Sequence, residues 1–167
     1  MEIAYLRDHL VLAPALAQAH VDAFGALLPD WTVEQALDEL ETHDRRRAIP
    51  TTLIAVEEDD WLGSVSLLQN DHDDIRQYSP WLASLYVKPE ARCRGAGRAL
   101  VTRCVQEAAA LGIERLYLYC TDAVDYYRGL GWRVQDQLQL GPLFVTVMAI
   151  DPLPYRPQAE NQDIPRD

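Results

Sequence analysis

The segment Val87–Val101, VKPEARCRGAGRALV, places three arginines and two glycines in a turn that leads into a helix-like run. It follows WLASLYV, Trp81–Val87, whose continuous apolar character predicts a buried strand. A helix N-terminus carries unpaired N–H groups and partial positive charge, and Gly95 and Gly97 let the backbone approach a ligand closely. The segment therefore predicts an α/β fold with a phosphate-bearing ligand at the start of its long helix.

Other interpretations of these glycines can be compared with the sequence. A dinucleotide fingerprint requires a third glycine where Leu100 stands, and a P-loop requires Gly-Lys-Ser/Thr, which is absent. A glycine-rich turn surrounded by solvated arginines, without a ligand, remains as the structural alternative.

The composition restricts the classes of protein to which the chain can belong. Its 167 residues, 49% of them hydrophobic, suit one globular domain. A net charge of −11 disfavours a nucleic-acid binder, and no apolar run approaches the roughly 20 residues of a membrane span. The first ten residues do not resemble a secretory signal, and the three cysteines and four histidines show no disulfide or metal spacing. We therefore expect a cytoplasmic protein without a metal.

Apolar periodicity and turn residues predict the order of elements β-αα-βββ-α-β-α-ββ around a mixed central sheet. We expect one domain over residues 1–151 and a proline-rich tail over 152–167. The first half of the chain is predicted to form a strand over 2–6, a helix over 13–28, a second helix, and a hairpin with Glu57–Asp60 at its turn. The second helix is expected to run from the Thr32–Gln35 capping box to about Arg46, with Arg45–Arg47 in its last turn. The second half is predicted to form a strand over 81–87, a helix over 98–111, a strand over 115–120, a short helix ending near Gly131, and strands over 132–140 and 144–150.

The stretch Arg92–Gly97, RCRGAG, matches the pattern R/Q-x-x-G-x-G/A and resembles the acyl-CoA pyrophosphate loop of the GCN5-related N-acetyltransferases (GNAT). Upstream, PWLASLYVKPE is similar to that family's fourth strand. Downstream, LYLYCTDAVDYYRGLGWRV is similar to its fifth strand and the aromatic-Tyr-x-x-x-Gly-aromatic helix. The resemblance extends from Trp81 to Val134, and the first fifty residues match only in element order.

The resemblance implies transfer of an acetyl group from acetyl-CoA to an amine by direct attack in a ternary complex. It also implies that the fourth and fifth strands splay apart and that the pantetheine arm lies between them. Main-chain groups of the fourth strand would pair with that arm and stabilise the oxyanion, and those of the loop would hold the pyrophosphate. The implied cofactor-binding residues are Leu85, Tyr86, Val87, Arg92, Cys93, Arg94, Gly95, Ala96, Gly97 and Arg98.

By the same resemblance, Tyr127 stands at the general-acid position, four residues before Gly131, and would protonate the departing thiolate. Adjacent helical residues point about 100° apart, so we assign Tyr126 to packing. Thr121 or Asp122 is expected to cap the helix, and Cys120 to be a buried structural thiol.

The sequence leaves the general base and the acceptor open. The strand WLASLYV contains no carboxylate or histidine, so candidate bases are ordered water draining to carboxylates elsewhere, the loop residues Asp71–Asp74, and Glu34. The acidic segments VEQALDELETHD and NDHDDI suggest a small cationic amine such as a polyamine or an aminoglycoside, with a protein N-terminus or lysine as the alternative. A non-catalytic acyl-CoA-binding module is the competing hypothesis, and the resemblance also implies a homodimer.

Overall fold

The computed structural model describes residues 1–25, 30–43 and 46–156. Seven strands form one sheet in the order β1-β2-β3-β4-β5-β7-β6, and four α-helices pack against it. The predicted mixed α/β fold and its order of elements are confirmed. The strands are β1 (Glu2–Tyr5), β2 (Thr51–Glu57), β3 (Asp60–Leu68), β4 (Trp81–Val87), β5 (Leu116–Cys120), β6 (Arg133–Leu140) and β7 (Leu143–Ile150), and the helices are α1 (Ala13–Phe24), α2 (Val33–Thr42), α3 (Ala96–Ala110) and α4 (Val124–Gly129).

Helices cover both faces of the sheet. The apolar face of α3, with Leu100 and Cys104 fully buried, packs on one face, while Leu16 of α1 and Leu40 of α2 pack on the other. β2 is buried from Thr51 to Val56 because it has a strand on either side and helices above and below it. The central strands are therefore fixed by burial, and they provide a rigid base for the site.

The β4–β5 pair is parallel, whereas the other strand pairs of the sheet are antiparallel. The two strands pair at one position, Trp81 opposite Tyr117, where the Tyr117 N–H donates to the Pro80 carbonyl at 3.0 Å. Beyond this point they diverge, as the resemblance implied. Trp81 is fully buried but residues 84–87 are only partly buried, so the expectation of a strand buried along its whole length is wrong for its second half. The splay removes the neighbour that would have covered it.

The basic triplet does not end α2. The helix begins at its Thr32–Gln35 capping box as predicted, but it ends at Thr42. Arg46 lies beyond it and pairs with Asp8 at 2.6 Å, and Arg47 approaches Glu107 at 3.8 Å. The prediction for these two residues is wrong because carboxylates distant in sequence, rather than the helix dipole, attract them; residues 44 and 45 lie outside the described residues.

The remaining element boundaries agree within about two residues, apart from α1. It ends at Phe24 rather than Leu28, and residues 26–29 lie outside the described residues. After β7, the one-turn helix Leu153–Tyr155 lies against α3. The division of the chain at residue 151 stays a prediction, and most of the predicted tail lies outside the described residues. No helix in the described part of the chain is long and apolar enough to cross a membrane.

Candidate active site

A β-bulge in the middle of β4 lies where β5 diverges. Ser66 pairs with Ala83 and Ser64 with Tyr86, so Ser84 and Leu85 together oppose Val65. Ser84 has φ +54°, which few residues other than glycine adopt. A bulge redirects main-chain groups at a strand edge, and the edge of β4 that faces β5 has no ladder partner beyond Trp81 among the described residues. An extended ligand can therefore hydrogen-bond there.

The predicted main-chain contributors lie on this free stretch. Leu85 and Val87 direct their side chains toward the core around α3, while Tyr86 packs on the opposite side, 5.9 Å from Trp61 between ring centroids. Their side chains are therefore occupied in packing, and what each can offer a ligand is backbone. The bulge itself has no recognisable signal in WLASLYV.

The turn from β4 to α3 presents amides to solvent. Cys93 (φ +63°) and Gly95 (φ +83°) take left-handed conformations that fold the chain tightly before α3 begins at Ala96. Gly95 is the N-cap and provides no side-chain acceptor for the first turn, in contrast to the capping box of α2. The first N–H groups of α3 are thus available for an anion, as a helix N-terminus favours.

The three arginines of the turn differ in their contacts. The Arg94 guanidinium pairs with Glu57 in the β2–β3 hairpin at 2.5 Å. Arg92 donates from Nε to the Val87 carbonyl at 3.3 Å, and neither Arg92 nor Arg98 has a carboxylate partner within the described residues. Two unpaired positive charges, rather than three, therefore flank these amides.

A cleft of about 1290 Å³, here called the acceptor cleft, opens between α1, α2, β4, β5 and the β6–β7 turn. Ser84 and Leu85 of the bulge line it on one side, and Tyr119 and Cys120 of β5 on the other. It therefore continues directly from the gap between the splayed strands. A ligand in that gap would present its end to the cleft.

Tyr127 lines this cleft from α4 and is 9% exposed. Its ring packs edge-on against Trp132 at 6.2 Å between centroids. Burial raises the pKa of Tyr127 to about 12. The phenol is therefore protonated at neutral pH and can donate, as a general acid requires.

The predicted cap of this helix is wrong, and Tyr126 packs on Tyr127 but is more exposed than a purely packing residue. Tyr126, assigned to packing, is 46% exposed and its hydroxyl lies near Gly97. The N-cap of α4 is Ala123 rather than Thr121 or Asp122, and it makes no side-chain cap. Cys120 is half-buried, and burial raises the pKa of its thiol, which suits a structural role.

The charged side chains that line the acceptor cleft are acidic: its lining includes four carboxylates and, among the described residues, no lysine or arginine. Two of the carboxylates belong to α2, one precedes it, and one follows β3. Such a surface concentrates cations. The four residues are Asp30, Asp38, Glu39 and Asp71.

The candidate bases of the β3–β4 loop are separated by their positions. Asp73 pairs with Arg76 at 2.9 Å and is exposed, and Asp74 is exposed beside His72. Asp71 is partly buried in the cleft wall, and burial raises its pKa to about 6. Glu34 is exposed on α2 and does not line the cleft.

A row of buried hydroxyls and imidazoles underlies the cleft, and the sequence analysis did not identify it. His20 Nε2 lies 3.0 Å from Ser64 Oγ, and His43 Nδ1 lies 2.7 Å from Thr52 Oγ1, which contacts Ser66 Oγ at 2.8 Å. Burial lowers the pKa of both histidines to about 4, so they are neutral. The sequence pattern that could have predicted this row is the alternation of Ser64 and Ser66 along β3, which places both hydroxyls on one face of the strand. No group of three or more potential metal ligands occurs within residues 1–25, 30–43 and 46–156.

Comparison with known proteins gives a family and a fold. Solved structures similar to this chain include an aminoglycoside 6'-N-acetyltransferase complexed with coenzyme A (18% identity, 95% of this chain and 100% of that one, TM-score 0.71). Others are an aminoglycoside 6'-N-acetyltransferase from Enterococcus faecium (19%, 95% and 100%, 0.69) and a ribosomal-protein-alanine N-acetyltransferase from Brucella melitensis (23%, 90% and 99%, 0.69). No curated protein sequence matches significantly.

The family model for acetyltransferases (GNAT) matches residues 14–132, more than half of the chain and including both the α3 turn and α4. The chain therefore belongs to the GNAT family and is an acetyl-CoA-dependent N-acetyltransferase.

Proposed function

We propose that the protein acetylates a primary amine of a small cationic molecule. The observation that carries this proposal is the acceptor cleft, whose charged lining residues are all acidic within the described chain. An acceptor amine is an ammonium ion at neutral pH, so the cleft carboxylates attract it and any further cationic groups of the same molecule. Two of the similar structures are aminoglycoside acetyltransferases, which supports an acceptor of this class.

The main chain of β4 and the α3 turn suit two neighbouring parts of acetyl-CoA, the pantetheine arm and the diphosphate. The free edge at Leu85, Tyr86 and Val87 suits the amide groups of the pantetheine arm. The diphosphate would be held by N–H groups of the turn, together with the charges of Arg92 and Arg98; the turn residues are Arg92, Cys93, Arg94, Gly95, Ala96, Gly97 and Arg98. When bound, acetyl-CoA supplies the acyl group and a thiol leaving group.

Tyr127 is proposed as the general acid. It reaches the cleft from α4, beside the gap between the splayed strands, and its hydroxyl keeps its proton at neutral pH. It can therefore donate to a sulfur that leaves at the junction of gap and cleft.

Asp71 is proposed as the group that removes the proton from the acceptor ammonium. It lines the cleft from the loop between β3 and β4, and it forms no ion pair with a lysine or arginine within the described residues, while Asp73 is engaged by Arg76. A pKa of about 6 leaves the carboxylate ionised at neutral pH yet closer to the pKa of an amine than an ordinary aspartate is. The same negative charge would orient the ammonium.

A thiol-release assay with acetyl-CoA and a panel of amines tests the proposal. The panel contains aminoglycosides, polyamines, a lysine peptide and peptides with a free N-terminus. We expect the highest kcat/KM with a small acceptor that carries more than one amine. Turnover confined to peptides would replace the proposed acceptor class, and the similar Brucella structure is named a ribosomal-protein-alanine N-acetyltransferase. Binding of acetyl-CoA without turnover of any amine would contradict the proposed reaction.

A further inference from the structure

We propose that the hydroxyl of Tyr126 and the guanidinium of Arg98 hold the coenzyme diphosphate from the side of α4. One turn of α4 would then contact both ends of the pantetheine arm, the diphosphate through Tyr126 and the thioester through Tyr127. This inference rests on the proposed position of the coenzyme. It assigns Tyr126, a residue outside the loop motif, to ligand binding.

The two tyrosines of α4 point to different places. Consecutive helical residues diverge by about 100°, and their rings meet edge-on at 5.2 Å between centroids. Tyr127 is 9% exposed and lines the acceptor cleft, whereas Tyr126 is 46% exposed and does not. The helix therefore directs one phenol into the cleft and the other out of it.

The exposed phenol reaches the first turn of α3. A Cβ atom placed on Gly97 would lie 3.7 Å from the Tyr126 hydroxyl oxygen and 3.6 Å from a methyl group of Val87. The hydroxyl is therefore next to the uncapped N–H groups of α3, at the point where β4 ends. Because Gly97 has no side chain, the hydroxyl and the helix backbone flank a space roughly one atom wide, which a phosphate oxygen could enter.

The groups at this point can all bind an anion. The Tyr126 hydroxyl has no hydrogen-bond partner and Arg98 no ion pair within the part of the chain that the structure describes. Burial raises the pKa of Tyr126 and the neighbouring Arg98 opposes the rise, so the net shift keeps the phenol neutral. A neutral O–H donates to a phosphate oxygen, and a guanidinium adds charge and further donors.

A packing role for the ring does not explain the hydroxyl. A phenylalanine would make the same edge-on contact with Tyr127, and the oxygen would add nothing without an acceptor. The diphosphate is the anionic group proposed to lie at the start of α3, next to this hydroxyl. The hydroxyl is therefore expected to add affinity for that group alone.

Titration calorimetry without acceptor tests the inference on the full chain. The probes are coenzyme A, dephospho-coenzyme A, which keeps the diphosphate but lacks the 3'-phosphate, and pantetheine, which lacks both. We expect Tyr126→Phe to raise Kd by about 5-fold for the first two, as one hydrogen bond to a charged group implies for an exposed site, and to leave pantetheine unchanged. Arg98→Gln should show the same pattern. Tyr155→Phe is the control, because Tyr155 is 42% exposed and outside the proposed site, and its Kd values should equal those of the wild type.

Each outcome of this experiment is informative. An unchanged Kd for coenzyme A in Tyr126→Phe overturns the inference, and an equal loss for pantetheine assigns the residue to the arm instead. A loss for coenzyme A but not for dephospho-coenzyme A would move Tyr126 to the 3'-phosphate and also contradict the inference. If the wild type binds none of the probes, the proposed coenzyme site fails, so the two failures are distinguishable.

Discussion

At the scale of single residues, the environment of each candidate decides its chemistry. Tyr126 and Tyr127 are adjacent and chemically identical, yet one is exposed beside α3 and the other buried in the cleft. Asp71 and Asp73 are two residues apart, yet Asp73 is exposed and pairs with Arg76, whereas Asp71 is partly buried and makes no ion pair with a described lysine or arginine. Different roles for like residues follow from burial and neighbours.

We expect Tyr127→Phe to lower kcat by about 10²-fold, because the variant keeps the packing of the ring but loses the proton donor. The Kd for coenzyme A should change less than 2-fold, since the main chain is proposed to bind it. Steady-state kinetics together with calorimetry check both values. An unchanged kcat would remove Tyr127 from the mechanism.

We expect Asp71→Asn to lower kcat/KM and to abolish an acidic limb near pH 6 in its pH profile, because the carboxylate is the form that accepts a proton. Wild-type kcat/KM should rise with pH through this limb. A variant that retains the limb would show that another group produces it.

The same substitution should raise stability at neutral pH. A carboxyl whose pKa rises on folding binds its proton more tightly in the folded state, so folding stability falls as pH increases from about 4 to 6. Asparagine removes this cost, which is at most roughly 3 kcal/mol at pH 7. Tm should exceed that of the wild type at pH 7.5 and converge with it near pH 4. The buried histidines destabilise both proteins equally as pH falls below about 6.5. Their effect therefore cancels when the Tm values of variant and wild type are compared at the same pH. Equal Tm values of the two proteins at pH 7.5 would contradict a raised pKa of Asp71 in the folded state.

At the scale of elements, the site depends on how strands and helices end. β4 contributes through its bulge and its free edge, and α3 contributes through an N-terminus that no side chain caps. At each of these places main-chain N–H or C=O groups lack a hydrogen-bond partner within the described secondary structure. A bound ligand can supply the missing partners. The two places are separated by the turn over residues 88–95.

Gly97→Ala separates binding from folding at the start of α3. Alanine is a better helix former than glycine, and its Cβ would meet ordinary contact distances of 3.6–3.7 Å, so Tm should be unchanged or higher by an amount equivalent to about 0.5–1 kcal/mol. The Cβ would occupy the space between Tyr126 and the helix backbone, so the Kd for coenzyme A should rise about 10-fold or more. Thermal unfolding and calorimetry measure the two effects. A Kd equal to that of the wild type would show that no ligand enters this space.

At the scale of the whole molecule, charge is unevenly distributed. The chain has a net charge of −11, yet Arg92 and Arg98 at the proposed diphosphate site form no ion pair with any residue that the structure describes, while carboxylates line the acceptor cleft. A coenzyme bound at the turn and a cationic acceptor bound in the cleft, which have opposite charges, would therefore be attracted to different places on the protein. The oligomeric state stays a prediction.

We expect the KM of a polycationic acceptor to rise several-fold between 50 and 500 mM salt, because added ions screen its attraction to the cleft. The double variant Asp38→Asn/Glu39→Gln should raise KM at low salt and weaken the salt dependence. Glu34→Gln is the matched control, since Glu34 lies on the same helix outside the cleft. A KM that does not depend on salt would remove electrostatic attraction from the proposal.

Most elements, the glycine turn and the position of Tyr127 could be predicted from the sequence, because they depend on patterns within a short stretch. The apolar face of α3 lies within 15 consecutive residues, and the motifs of the turn and of α4 are each formed by one continuous stretch of sequence. The triplet Arg45–Arg47 illustrates the opposite case, because the partners of Arg46 and Arg47 are Asp8 and Glu107. No pattern near residue 46 contains that information.

The sequence by itself determined the family, the order of strands and helices, and the glycine turn before α3, since these follow from local spacing and backbone preference. Only the tertiary structure decided which residues form the acceptor cleft. The bulge of β4, the splay from β5, the exposure of Tyr126 and the burial of Asp71 arise where segments far apart in the chain meet. Contacts between distant segments set burial and hydrogen bonding, and these in turn set the chemistry of each side chain.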